Sequence, residues 1–419
     1  MTKQFWKKIR SNTIWKGFQL LSVFLLNVAI ARVFKAEGSG DFLFLLANFQ
    51  LAATIASLSI ESGIQYYGTG DHSLLGGLSR FIFRYTGWLT LLLLALLPLF
   101  LSFHLISPSL NPVLFSVYAL GFITGTILFK FFSVIGYAVR SFILPTALET
   151  AGNGGLLICL WVLNSFHPAW GRSLFFGLFY IMPLINGALL ILYLRKKYAT
   201  LFKETAHSPV HFPSLFRYSG MAFLANVVFF GVYRIDYWFV AFYCSPRELG
   251  NYIQASRLGQ LFFHFPQLIA LIIFPDVVQG VAFTSRAAIL KLMASIAGVY
   301  TLCILVFLVV GKTGLLWILG PSFDLVYPAF LRLFPGIFAL GPLTVLSAYF
   351  AGRNEVVINL KGGLVALLLM LTGDLLFIPR YHIMGAAWVS SVAYVGYFIY
   401  GYTVFSIRSP KEGIQAAPI

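Results

Sequence analysis

The densest run of side chains able to do chemistry lies in one short stretch. Gln254, Arg257, Gln260, His264 and Gln267 follow one another at steps of three or four residues, and at about 100° per residue they fall within about 140° of one helix face. Their neighbours are Leu, Phe and Ile. The chemistry on offer is charge neutralisation and hydrogen bonding: arginine is a permanent cation with a planar fork of donors, and a glutamine amide both donates and accepts. No acid occurs between Gln254 and Gln267, so Arg257 reads as lining a wet or polar surface rather than completing an ion pair. A second stripe precedes it. Ser219, Asn226, Tyr233 and Tyr237 share a face with Arg234 at its edge, while Asp236 points nearly the opposite way, so Arg234 and Asp236 are not expected to pair. In the first half of the chain the comparable residues are Gln19, Asn27 and Arg32, then Asn48, Glu61 and Gln65. Glu61, Asp236 and His264 are the groups able to hold a proton or Na⁺.

No catalytic constellation accompanies these residues. HExxH, GxSxG, a Walker loop and a GxGxxG turn are all missing, so the chain is read as a non-enzyme with no catalytic residues. Cys159, Cys244 and Cys303 have no paired spacing and no CxxC, and no metal site or cofactor is expected from motif spacing.

The elements that must carry these side chains follow from composition. Of 419 residues, 59% are hydrophobic and only 10% charged, whereas a soluble domain has about a quarter charged. Such a chain cannot bury its apolar surface and still be solvated, so it is a membrane protein. Apolar runs of about 20 residues can be read at about Ile14 to Val33, Phe42 to Tyr66, Phe81 to Phe103, Val113 to Ile135, Leu144 to Leu163, Leu174 to Leu194, Leu215 to Phe239, Gly250 to Phe274, Ile289 to Val310, Leu325 to Phe350, Val356 to Ile378 and Met384 to Phe405. Those runs are twelve spans. The formal charge of +16 would suggest nucleic acid in a soluble chain, but the cations sit in loops. With the N-terminus inside, Arg32, Lys35, Arg172, Arg247, Lys312 and Arg380 face outward, Arg234, Arg257 and Arg332 lie within spans, and the remaining twenty of the 29 Lys and Arg are cytoplasmic. Both termini are therefore placed in the cytoplasm, beside anionic lipids; no nucleic acid is expected.

The chain also echoes itself. ARVFKAEGSGDF (31–42) and AFYCSPRELGNY (241–252) align at an offset of 210 residues, with Gly40 opposite Gly250; a weaker echo pairs His167 and Gly171 with His382 and Gly385. An even-numbered direct repeat predicts two six-helix lobes, 1–205 and 206–419, related by an axis along the membrane normal. Structural readings stand beside the functional ones: Arg32 and Lys130 can snorkel to headgroups, Glu149 can pair with Arg140, and Arg332 with Asp374.

Three segments carry a family resemblance. ARVF…EGSGDF, YRIDYWFVAFYCSPRELGNYIQASRLGQLFFHFP and IPRYHIMGAAWVSSVAYVGYFIY resemble the Wzx-type O-antigen and polysaccharide flippases of the MOP (multidrug, oligosaccharidyl-lipid, polysaccharide) superfamily, whose fold is the MATE-like pair of lobes. ASRLGQLFFHFP is also similar to the A-D-R-L-x-E-F-P segment of the lipid-linked peptidoglycan precursor flippases. Arg257 matches the arginine that lines their cationic cavity, and Ser256 stands where their acid is; SIESG is similar to their A-E-G segment and makes Glu61 a cavity-side acid. The resemblance implies transport of a polyprenyl-pyrophosphate-linked oligosaccharide across the bacterial inner membrane during polysaccharide (O-antigen, lipopolysaccharide) synthesis, by alternating access through a central cationic cavity. In it Arg257, Arg234 and Arg32 would neutralise the pyrophosphate, and Gln254, Gln260, His264 and Asn226 would meet the sugar. It further implies a polysaccharide polymerase and assembly machinery as partners. Coupling to H⁺, Na⁺ or the membrane potential is left open among Glu61, Asp236 and His264. Three rivals remain: a cation-coupled multidrug exporter of the same superfamily, an intramembrane glycan-modifying enzyme, and a scaffold for a cell-envelope assembly complex whose ionisable residues are purely structural.

Overall fold

The computed structural model describes residues 3–70, 74–102, 112–139, 141–166, 168–199, 212–278, 285–353 and 355–408. Among them are eleven α-helices and no strand: α1 (Lys3–Ser57), α2 (Ile60–Gly70), α3 (Leu75–Ser102), α4 (Pro112–Ala138), α5 (Ile143–Phe166), α6 (Pro168–Lys197), α7 (Phe212–Tyr243), α8 (Pro246–Val278), α9 (Arg286–Leu319), α10 (Val326–Gly352) and α11 (Val356–Arg408), with a 3₁₀ turn at Pro321–Phe323. Helices are what hydrocarbon permits, since every backbone N–H and C=O must be satisfied within the segment. Eight of the described helices are long and apolar enough to cross a bilayer. The protein is a multi-pass, all-α membrane protein.

Two helices are longer than any span. At a rise of about 1.5 Å per residue the 55 residues of α1 and the 53 of α11 would run to about 80 Å, against about 30 Å of hydrocarbon. Each therefore breaks once. Lys35 (φ 57°, ψ −171°) interrupts α1 and His382 (φ 52°, ψ −141°) interrupts α11, so each supplies two of the expected spans. The second span breaks again at Leu58 and Ser59, both with positive φ, and α2 resumes at Ile60. The remaining apolar runs fall on α3 to α10, one each.

The helices group into two compact units. The first comprises 1–33 and 45–227, the second 34–44 and 228–419. The expected boundary at 205/206 lies outside the described residues; the second unit takes in the segment 34–44, whose Gly40 packs on α8. In the first unit Ile60, Ile64, Leu78, Ile82, Phe131, Phe132, Leu190 and Leu194 form the core. There α4 crosses α6 at Gly125, where a Cβ would lie 2.2 Å from the Leu184 backbone N, the close backbone approach that small residues allow between membrane helices.

In the second unit α10 is the central helix, most of its length being buried, whereas little of α9 is buried. Leu340 and Leu343 of α10 cluster with Val228, Val232, Met370, Tyr394 and Tyr397, whereas α9 turns Leu302, Leu305, Val306 and Val309 outward, as a lipid-facing helix must. The repeat explains the join with 34–44. Gly40 and Gly250, the positions aligned by the offset of 210 residues, lie against each other: a Cβ on Gly40 would meet the Gly250 N at 2.8 Å, and one on Gly250 would lie 1.8 Å from the Ala36 carbonyl O. Next to it the buried Asn251 donates to the Arg247 and Ser322 carbonyls (2.9 and 3.1 Å) and accepts from Leu325 N (3.0 Å), and Ala36 N donates to Ser322 Oγ at 3.2 Å.

Backbone atoms cannot step aside as a side chain can. Gly250→Ala is expected to cost about 3 kcal/mol or more, seen as a large drop in melting temperature in detergent. Gly298→Ala, whose Cβ meets nothing within 4 Å, should leave melting unchanged or slightly raised. Equal melting of the two variants would mean that the Gly40–Gly250 crossing is not formed.

Candidate functional site

Helix α8 carries the predicted stripe, and its depth changes along its length. Gln254 is buried, Arg257, Gln260 and His264 are half-buried, and Gln267 is exposed. Packing of α7 on α8 joins the two stripes. Arg234 Nη1 donates to Tyr237 Oη at 2.7 Å and Nη2 to Gln260 Oε1 at 3.2 Å, and the guanidinium lies 5.0 Å from the Tyr237 ring centroid. A cation held between an aromatic face and an amide is positioned rather than mobile. The second unit thus gathers Arg234, Gln254, Arg257, Gln260 and His264 on two adjacent helices.

Asp236 is almost wholly buried, and although it leaves α7 about 200° around the helix from Arg234 it still feels that guanidinium's charge. Its Oδ2 accepts from Tyr252 Oη at 2.5 Å and from Ser390 Oγ at 3.1 Å, and those two hydroxyls are themselves 3.1 Å apart. Its Oδ1 has no side-chain hydrogen-bond partner among the described residues. Neither does either oxygen of Asp374, a fully buried carboxylate on α11 that feels the charge of Asp236. The expected Arg332–Asp374 pair does not form: Arg332 Nη1 donates to the Pro328 carbonyl of its own helix at 2.9 Å. Burying two carboxylates away from water is costly unless positive charge or hydrogen bonds offset them, and the nearby Arg234 guanidinium supplies part of that offset for Asp236. Sequence reasoning missed Asp374, Tyr252 and Ser390 as partners of Asp236; only their polarity within apolar runs marked them.

In the first unit the break at Leu58–Ser59 is sustained by side chains. Tyr85 Oη donates to the Ala56 carbonyl at 2.5 Å, Asn226 Nδ2 to Ser59 Oγ at 2.9 Å and Ser59 N to Ser57 Oγ at 3.2 Å. Asn226 is thereby committed to the break. Glu61 sits in the first turn of α2, where the positive end of the helix offsets its charge, with Oε2 buried and without a hydrogen-bond partner. A broken span with an acid at the start of its second half is a place where a membrane protein can meet a polar ligand. Arg32 is exposed near the end of the first arm of α1. Gln19 donates to Glu149 and Asn153 to Ser22 (3.2 Å), a polar seam between α1 and α5; Arg140 and His167 lie outside the described residues.

No family model matches the chain, and no curated relative does. Solved structures do. The "Lipid II flippase MurJ, inward closed conformation" aligns at a TM-score of 0.74 with 14% identity, covering 95% of this chain and 87% of that one. An inward-facing multidrug resistance MATE family transporter of the MOP superfamily aligns at 0.70, again with 14% identity, covering 91% and 94%. The Vibrio cholerae MATE transporter VcmN in its bent form aligns at 0.63 with 15% identity, covering 96% and 95%. At such identities the likeness is one of fold, and the chain shares the helical architecture of the MOP-superfamily transporters.

Proposed function

We propose that this protein is a flippase of the bacterial inner membrane that moves a polyprenyl-pyrophosphate-linked oligosaccharide, such as an O-antigen repeat unit, by alternating access. The observation that carries the reading is the polar face of α8, with Arg257 between Gln254 and Gln260 and with Arg234 hydrogen-bonded to Gln260. Two guanidinium groups suit a pyrophosphate, and the amides suit sugar hydroxyls. The head group cannot cross hydrocarbon alone, since each charge costs several kcal/mol there; the polyprenyl tail can stay in lipid throughout. The shared fold with a flippase of a lipid-linked precursor supports the same substrate class. Anionic lipids at the basic loops, and a polymerase with its assembly machinery, complete the proposed surroundings.

The Asp236–Asp374 pair supplies the coupling step in this reading. Its oxygens are closed to solvent, which suits H⁺ or Na⁺ and excludes a drug-sized cation. Uptake of one positive charge there changes the electrostatics of α7 and α11 together, and so biases one packing of those helices over another. A cation-coupled multidrug exporter is the second reading, favoured by that same carboxylate pair and by the MATE folds, but the cations on α7 and α8 oppose a cationic substrate.

Export complementation in a strain lacking its own O-antigen flippase tests the main reading. The wild type should restore surface glycan, and Arg257→Gln, correctly inserted, should lower export at least about tenfold, a loss of about 1.4 kcal/mol or more in head-group interaction. Efflux of a cationic dye with no glycan export would establish the exporter instead. For the coupling step, Asp236→Asn and Asp374→Asn should abolish the dependence of flipping in proteoliposomes on a Na⁺ or pH gradient while leaving lipid-linked glycan binding in place. A gradient dependence unchanged in both variants would remove the pair from coupling.

A further inference from the structure

A second cluster in the 228–419 unit belongs to none of these roles. Cys244 directly follows α7, Glu248 lies in the first turn of α8, and His382 is the residue at which α11 breaks. Their ligand atoms, one per residue, all lie within 4.8 Å of one another, and His382 Nδ1 is 3.1 Å from Glu248 Oε1. Part of this is ordinary helix capping. Ser245 N and Oγ donate to Glu248 Oε2 at 3.0 and 2.9 Å, and Glu248 N donates back to Ser245 Oγ at 3.3 Å, a capping box with Pro246 beginning the helix. The box uses Oε2 and leaves Oε1 aimed at His382 and Cys244. A carboxylate held this way is oriented by its outer partners, as ligating carboxylates are.

Capping does not account for His382 or Cys244. His382 holds a positive φ with an extended ψ, a conformation that costs about 1–3 kcal/mol in a residue with a Cβ, and it directs its ring at Glu248. Cys244 is half-buried, with no other cysteine paired to it. A dication beside the sulfur would favour the thiolate.

We propose that Cys244, Glu248 and His382 form a binding site for a late first-row divalent cation of the Zn²⁺ class. Sulfur, imidazole nitrogen and carboxylate oxygen together are a donor set such ions take, and Ca²⁺ and Mg²⁺ do not. Two bonds of about 2.1 Å meeting at a tetrahedral angle put their ligand atoms about 3.4 Å apart, so the cluster needs only a small closure. Three protein ligands leave a fourth position for water, and the half-exposed His382 ring leaves the ion a way in. The bound ion would tie the α7–α8 junction to the break in α11, a crosslink independent of the transport reading.

The test is titration of the purified full chain in detergent with Zn²⁺ alone, by calorimetry and by competition with a zinc indicator. One equivalent should bind, with affinity lowered at least about tenfold in Cys244→Ser and in Glu248→Gln, the latter keeping an oxygen for the cap. Co²⁺ in the wild type and in a Cys159→Ser/Cys303→Ser background should give a near-ultraviolet sulfur-to-cobalt charge-transfer band, a readout that does not depend on the Cys244 variant folding. Absence of that band, or Zn²⁺ binding equal in the wild type and Cys244→Ser, overturns the site.

Discussion

A peptide group in hydrocarbon has no water to bond, and every departure from the helix must find its partners inside the protein. That constraint explains where this chain places its polar side chains. Tyr85, Asn226 and Ser57 serve the break at Leu58–Ser59; Asn251 serves the carbonyls and amides around the α8 start and the 3₁₀ turn. Such residues are costly in a membrane, and several are spent holding backbone rather than touching a ligand.

Charge is handled by the same logic. The guanidinium of Arg234 is met by a phenol and an amide, partners that position a cation without cancelling it. Asp236 is met by two hydroxyls, and Asp374 by no hydrogen-bond donor among the described residues. Asp236 also lies within the field of Arg234, so the cation on α7 and the buried acids on α7 and α11 act on one another.

Much of the architecture is legible in the residue order. Twelve apolar runs appear as helical segments because hydrophobic length is a local property, and the stripe on α8 appears as one helix face because steps of three and four residues close a turn. The match of Gly40 with Gly250 was visible as a repeat, though not as a contact. Motif spacing gave no sign of Cys244, Glu248 and His382 as a cluster, since two lie beside a turn and the third is more than a hundred residues away. The expected pairing of Arg332 with Asp374 failed because complementary charge does not say which way two helices rotate.

Composition and periodicity by themselves determine that the chain lives in a bilayer, that it is helical, and which residues share a face, because those properties depend on neighbours within about two turns. Which faces meet is decided by tertiary packing alone. Arg234 reaches Gln260, Asp236 reaches Ser390 and Glu248 reaches His382 through the way whole helices pack, and such contacts between distant segments leave no local pattern in the sequence.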